Sequence, residues 1–264
     1  MNKLYQILIQ TFIVTVITIS ATNVYAGSER DDDGKHSVTT HNYNTGVIQP
    51  YAKIHGKSYG DWGAEWWKWA LSVPYSQSPI TDLTGEDGSQ NQQGAVWFLA
   101  GTFGTFAERT ITIPAKKFIF FPLVNGENDF PCPDPNFKPA SGQTMEDFLT
   151  SGITPAFDLW VTDLNKTLSA KVDGVELNSL TNYRGISQLT KFTANPDPDN
   201  LKFIDPCITG EKQVMVSDGF WLMLAPLKTG KHEIEFSAYD TLNPSFALHV
   251  IYHVTISKEA QDKR

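Results

Sequence analysis

From Phe246 to Ile256, apolar side chains fall at every second position: Phe246, Leu248, Val250, Tyr252, Val254 and Ile256. That period is the mark of a strand with one buried face. A chain containing such a strand must supply a sheet and a second layer to cover it. Shorter runs of the same kind are Ala95–Ala100, Arg109–Ile113, Lys117–Val124, Leu168–Val172, Val175–Leu177, Gln213–Val216, Phe220–Leu224 and His232–Tyr239. Gly- and Pro-marked turns separate them. Phe118-Ile119-Phe120-Phe121 is apolar on both faces and predicts a central strand. Asp173-Gly174 between two runs predicts a tight hairpin. Strands and helices do not alternate regularly. The pattern predicts a mainly β fold, an antiparallel β-sandwich or jelly roll.

Two helical stretches interrupt the strands. Ser58-x-x-Asp61 is a capping-box pattern, and Pro74 ends the helical run it opens. Trp62, Trp66, Trp69 and Val73 share one face, which Trp67 and Ala70 widen. A one-face Trp stripe is what a helix packed on a sheet needs, so most of these rings belong to the core. Trp67, off the main line, is the candidate for an exposed, ligand-stacking ring. A shorter helical insertion is expected over Thr144–Thr150 and Pro155–Leu164, and an extended loop over Asn195–Asn200.

The first 26 residues have the tripartite pattern of a secretory signal peptide: Lys3, an apolar stretch from Ile7 to Ile19, and Val24-Tyr25-Ala26 before the cleavage point. The apolar stretch is too short and too rich in Thr and Gln for a membrane span. Residues 27–48 are polar and read as a flexible arm, 49–257 as one β-rich domain, and 258–264 as a tail. Within the arm, Asp31-Asp32-Asp33-Gly34 has the flavour of a calcium loop, but Thr40 stands where that template needs Glu. With 29 acidic against 21 basic residues, the net charge of -8 argues against a nucleic-acid partner. Export places Cys132 and Cys207 in an oxidising compartment, and they are the only cysteines. A disulfide between them is expected.

Three sets of segments resemble a group of exported bacterial proteins to which no activity is assigned. They are Tyr59-Gly60-Asp61-Trp62 with Glu65–Ser72, Val96–Gly104 with Phe120–Asn125, and Ser217–Leu222 with Pro226–His232. The similarity runs from about Tyr51 to Ile256. It implies bacterial origin and export, and it transfers no catalytic residue.

Several constellations can carry chemistry. Gly56-Lys57-Ser58-Tyr59-Gly60 matches the nucleophile-elbow pattern, but the α/β alternation around an elbow is missing, and Ser58 reads as a helix cap. His249 and His253 lie roughly 13 Å apart along a strand and cannot share one ion. Glu127 and Asp129 come after the expected central strand in what reads as a loop, well placed for hydrogen bonding to a ligand or for calcium. Asp197 and Asp199 are a poorer version, stiffened by prolines. Arg109 and Arg184 are candidates to clamp an anionic ligand.

These features point first to an exported, non-enzymatic module that binds a ligand or surface, with glycan as the ligand class. Its ligand-binding residues are Glu127, Asp129, Trp67 and Arg184. The alternative is a secreted hydrolase using Ser58 or a carboxylate pair that includes Glu127. No organic cofactor motif is present, and calcium at Glu127 and Asp129 is the one metal left open.

Overall fold

The computed structural model of the chain describes residues 46–203 and 205–258. The signal peptide, the Asp31–Asp33 run, most of the N-terminal arm and residues 259–264 lie outside the described residues.

The fold is mainly β, with nine strands and three α-helices among the described residues. In chain order the first elements are α1 (Tyr59–Ala70), β1 (Val96–Phe98), β2 (Phe106–Pro114), β3 (Phe118–Phe130) and α2 (Met145–Thr162). The rest are β4 (Lys166–Val172), β5 (Val175–Glu176), β6 (Thr190–Thr193), α3 (Pro198–Phe203), β7 (Lys212–Leu224), β8 (Gly230–Asp240) and β9 (Ala247–Ser257). One sheet has the order β1-β3-β7-β6 and the other β2-β9-β8-β4-β5. Both are mixed: β1 runs parallel to β3 and β2 parallel to β9, while the remaining pairs are antiparallel. The purely antiparallel pairing expected from the sequence is corrected to that extent. Chain segments at residues 115–117 and 225–229 cross between the sheets, so consecutive strands need not be neighbours.

The first sheet is covered on both faces. On one side Phe121 of β3 meets Phe236 of β8, with ring centroids 5.1 Å apart, so the second sheet closes that face. On the other side lies α1. Ser58 caps it as the sequence predicts: its Oγ accepts from Asp61 N at 3.2 Å, and Asp61 Oδ2 accepts from Ser58 N at 2.9 Å. Gly63 lets the helix come down onto β7, because a Cβ there would lie 2.8 Å from the Trp221 ring. Trp66 packs on Trp221, and Tyr59 on Phe120.

The structure also departs from the sequence reading in where several elements begin, end or join. The two runs Gln213–Val216 and Phe220–Leu224 are one strand, β7. The two helical patches are one helix, α2, with Pro155 inside it. Asn195–Asn200 is not wholly extended, since α3 begins at Pro198. Val47, assigned to the flexible arm, is buried and bridges to Leu224, so the packed unit begins before residue 49. The Asp173-Gly174 hairpin forms as expected, with Val172 facing Val175 and both turn residues at positive φ.

Candidate functional site

Asn125–Asp129 is not a loop. It is the second half of β3, hydrogen-bonded in register to β7, with Asn125 opposite Gly219, Glu127 opposite Ser217 and Asp129 opposite Met215. The register slips by one residue between Pro122 and Val124, leaving Leu123 as the extra residue of a bulge. Side chains alternate along a strand, so one extra residue moves every later side chain to the other face. Before the bulge, Phe120 lies on the α1 side. Beyond it, Asn125, Glu127 and Asp129 take that side. Gly126 and Asn128 face α2 instead: Asn128 Nδ2 donates to Leu149 O at 3.0 Å, and a Cβ at Gly126 would touch Ile153 and Phe157. Without the bulge the two carboxylates would point into α2. Gly219 is what lets the polar row pass, because any Cβ there would lie 2.7 Å from Asn125 Cβ.

The row ends beside the disulfide. Cys132 and Cys207 are bonded, with Cα atoms 4.3 Å apart, as the sequence predicts. The link brings Asp205 to Glu127 and Asp129, so that one ligand atom from each of the three carboxylates lies within 4.8 Å of the others. Gln213 of β7, 3% exposed, organises the group. Its Nε2 is 2.7 Å from Asp129 Oδ1, 2.9 Å from Pro131 O and 2.8 Å from Cys207 O, while its Oε1 accepts from Thr209 N at 2.9 Å. Cys207 N donates to Asp205 Oδ1 at 2.6 Å. Asp129 Oδ2 and Glu127 Oε2 are buried without a partner.

All three carboxyls are pushed upward. Burial lifts Glu127 well above the usual carboxylate range, and the neighbouring Asp129 and Asp205 add to it. Burial, with Asp205 beside it, pushes Asp129 up to about 8 against the opposing hydrogen bond from Gln213. Asp205 is raised by burial, with the Cys207 amide acting against it. Among the described residues, no Lys, Arg or His forms an ion pair with any of them.

At the other end of the row, a cavity of about 100 Å³ is lined by Trp67, Thr102, Phe103, Asn125, Phe246 and others. Trp67 is only 7% exposed, with its ring edge-on to Trp66, so the expectation of an exposed ring is overturned. The helix lies flat enough on the sheet to bury its flank as well as its stripe. Trp67 Nε1 and Asn125 Nδ2 are buried donors without a partner.

The two arginines are committed elsewhere. Arg184 grips Asp218 through Nε (3.0 Å) and Nη2 (2.7 Å), Asp158 through Nη1 (2.6 Å), and Thr154 O (3.1 Å). It joins α2 to β7 and leaves no fork for an anionic ligand, which corrects its assignment as a ligand-binding residue. Arg109 is 1% exposed and spends all five N–H donors internally. Nε reaches Asp82 O (2.8 Å), Nη1 reaches Ala100 O (2.5 Å) and Tyr252 Oη (2.6 Å), and Nη2 reaches Ile80 O (3.3 Å) and Gly101 O (3.0 Å). The sequence carries no sign of these partners, which is why both arginines read as clamps.

Elsewhere the structure separates what the sequence singled out. Ser58 Oγ is engaged by Asp61, to which it also donates at 2.7 Å, and among the described residues no histidine hydrogen-bonds it. His249 pairs with Glu235 (3.0 Å) and His253 with Glu108 (2.8 Å) across the outer face of the second sheet. Asp197 accepts from Tyr75 N and Asp199 N, a turn that starts α3. Asp205 and Gln213 are the site residues the sequence reading missed. The signal was present: Asp205 sits two residues before Cys207, as Asp129 sits three before Cys132, so a disulfide between the cysteines carries both aspartates along.

No family model matches the chain, and no curated protein does. Solved structures with similarity to it include the cysteine protease inhibitor EhICP2 from Entamoeba histolytica, at 14% identity over 56% of this chain and 86% of that one, with a TM-score of 0.19. Another is PbICP-C in its complex with falcipain-2, at 12% identity over 62% and 100%, with a TM-score of 0.22. At such scores the likeness carries no argument for this chain.

Proposed function

We propose that the chain is an exported, non-enzymatic binding module that takes its ligand on the α1-facing side of β3, between Trp67 and Asp129, and that the ligand is a glycan. One observation carries this reading. Trp67 Nε1, Asn125 Nδ2, Glu127 Oε2 and Asp129 Oδ2 are all buried without a partner, and three of the four stand on the same strand face. Native interiors satisfy nearly all such atoms, so a row of unsatisfied ones on one strand face supports a site there. The row offers donors at one end and acceptors at the other. Sugar hydroxyls do both, and indole borders the cavity. That cavity has room for about three waters, or the part of a ligand that displaces them.

Export is supported by the signal-peptide pattern and by the disulfide, which persists in oxidising compartments. No described helix is long and apolar enough to cross a membrane. A second reading, a hydrolase using Glu127 and a neighbouring carboxylate, is favoured by the proximity and raised pKa of the pair, a combination that acid–base sites also show.

A glycan array and an ester and glycoside activity screen on the same protein preparation decide between them. Binding without turnover is expected, weakened at least tenfold by Asn125→Ala and by Glu127→Gln. Turnover lost in Glu127→Gln would move the protein to the hydrolase reading. Binding unchanged in both variants, or no glycan bound at all, would remove the glycan reading.

A further inference from the structure

We propose that Glu127, Asp129 and Asp205 form a calcium site; Glu127 and Asp129 belong to the row proposed above for the organic ligand, so this inference rests on that reading and places a cation at its carboxylate end. The first argument is metric. One ligand atom from each residue lies within 4.8 Å of the other two. Oxygens bound to one Ca²⁺ at about 2.4 Å lie no more than about 4.8 Å from one another, a limit that all three pairs here meet. Mg²⁺ demands near-octahedral geometry and keeps several of its waters, which suits a nest of three carboxylates less well than the flexible coordination of Ca²⁺. Zinc favours nitrogen and sulfur, and both cysteines are consumed by the disulfide.

The second argument is independent of the clustering. Asp129 is 2% exposed, and its Oδ2 has no hydrogen-bond partner. Glu127 Oε2 is in the same condition. A carboxylate oxygen shut away from water without a donor is costly unless it takes a proton or a cation supplies the missing contact. The surrounding bonds leave room for one: Gln213 Nε2 takes Asp129 Oδ1, and Cys207 N takes Asp205 Oδ1, so each aspartate is oriented through one oxygen and open at the other. Ligand carboxylates held in this way by outer hydrogen bonds are characteristic of metal sites. Glu127 and Asp205 are half-buried, which gives the ion a route in and lets water complete the six to eight oxygens that calcium takes.

The site also accounts for the position of the disulfide. Asp205 is 76 residues from Asp129 along the chain, and the Cys132–Cys207 link fixes both ends of that span. The resulting centre is clipped in place before any metal arrives.

Calorimetric titration of the full mature protein, stripped with chelator and titrated with CaCl₂ at pH 7.5, tests the site without needing the organic ligand. One-to-one binding is expected, with a dissociation constant no weaker than about 1 mM, the range of extracellular modules. The melting temperature should rise by at least several degrees in 10 mM CaCl₂. Asp205→Asn and Asp129→Asn should each weaken binding tenfold or more. The wild-type titration decides even where a variant folds poorly: no heat and no thermal shift with calcium overturns the site. Unchanged affinity in a folded Asp205→Asn variant overturns its composition, and equal or tighter Mg²⁺ binding overturns the choice of ion. Glycan binding measured in chelator reports separately on the proposed function, so failure of the one is distinguishable from failure of the other.

Discussion

Arg109 and Asp129 are almost equally hidden from water, at 1% and 2% exposure, and both lie within strands. Their surroundings are opposite. Around Arg109, four backbone carbonyls and the Tyr252 hydroxyl take all five donors. Tyr252 in turn donates to Ala100 O at 2.9 Å, so the knot closes on itself. Around Asp129 one oxygen is bound and the other is not, and two further carboxylates crowd in. Burial of an ionisable group therefore says little about its use. What separates a structural group from a functional one is whether its hydrogen-bonding capacity is filled by the chain itself. The Arg109 knot ties residues 80–82 and 100–101 to β2 and β9, and needs nothing more. The carboxylate nest has a deficit that protons, a cation or a donor from outside the chain can meet.

The largest expected effect comes from opening the filled region. Arg109→Ala should lower unfolding stability by about 5 kcal/mol, because three buried carbonyls, one part-buried carbonyl and a buried phenol lose their donor together. Urea denaturation measures it, and a loss under about 1 kcal/mol would show that water refills the knot at little cost.

Removing the clip comes next. Cys132→Ala with Cys207→Ala should cost about 4 kcal/mol in the chain-entropy account of a loop this long. In the same variant the calcium response should fall, since Asp205 is no longer held at β3. A calcium response that survives unchanged would mean that Gln213 and the strand pairing alone build the nest.

A smaller effect, of opposite sign, marks the deficit. The Asp129 pKa is raised when folded, so its contribution is most favourable below the unfolded value and is lost as pH rises through about 8. Glu127 and Asp205 face it and are shifted the same way, while Gln213, the group donated by β7, is neutral. In metal-free buffer at pH 8, Asp129→Asn should be more stable than wild type by about 2 kcal/mol, with the difference shrinking toward pH 4. Saturating calcium should abolish or reverse it. If the variant is less stable than wild type at every pH without metal, the nest is not strained.

The smallest effect calibrates the scale. Ser58→Ala removes a satisfied cap at the edge of the protein and should cost about 1 kcal/mol, with Ser58→Asp largely preserving stability. A serine-directed fluorophosphonate probe should label neither wild type nor variant. Labelling of wild type alone would give Ser58 a covalent role.

Much of the fold was legible because its signals are local. The capping box of α1 spans four residues, the β9 alternation needs only period two, and the Asp173-Gly174 turn needs two residues able to take positive φ. β6 was missed because Thr190–Thr193 is short and only Phe192 of it is buried, so no period can establish itself. The candidate site was half legible. Glu127 and Asp129 stood out as two carboxylates in one short stretch, but their strand has the look of a loop because the polar residues on β3 are turned into the protein instead of into water.

By itself the sequence determined the elements whose causes lie within a few residues, the mainly β class, and the partner of each cysteine, since only two exist to pair. Tertiary structure decided the rest. The bulge at Leu123 chose which face of β3 carries Asn125, Glu127 and Asp129, a consequence of one unpaired residue that no hydrophobic pattern encodes when both faces are apolar. Closure of the long loop added Asp205 to them. The sheet and α1 buried Trp67, and Asp218 and Asp158 claimed Arg184. Each of these turns on groups far apart in the chain, and their contact depends on packing geometry, which propensity and periodicity do not carry.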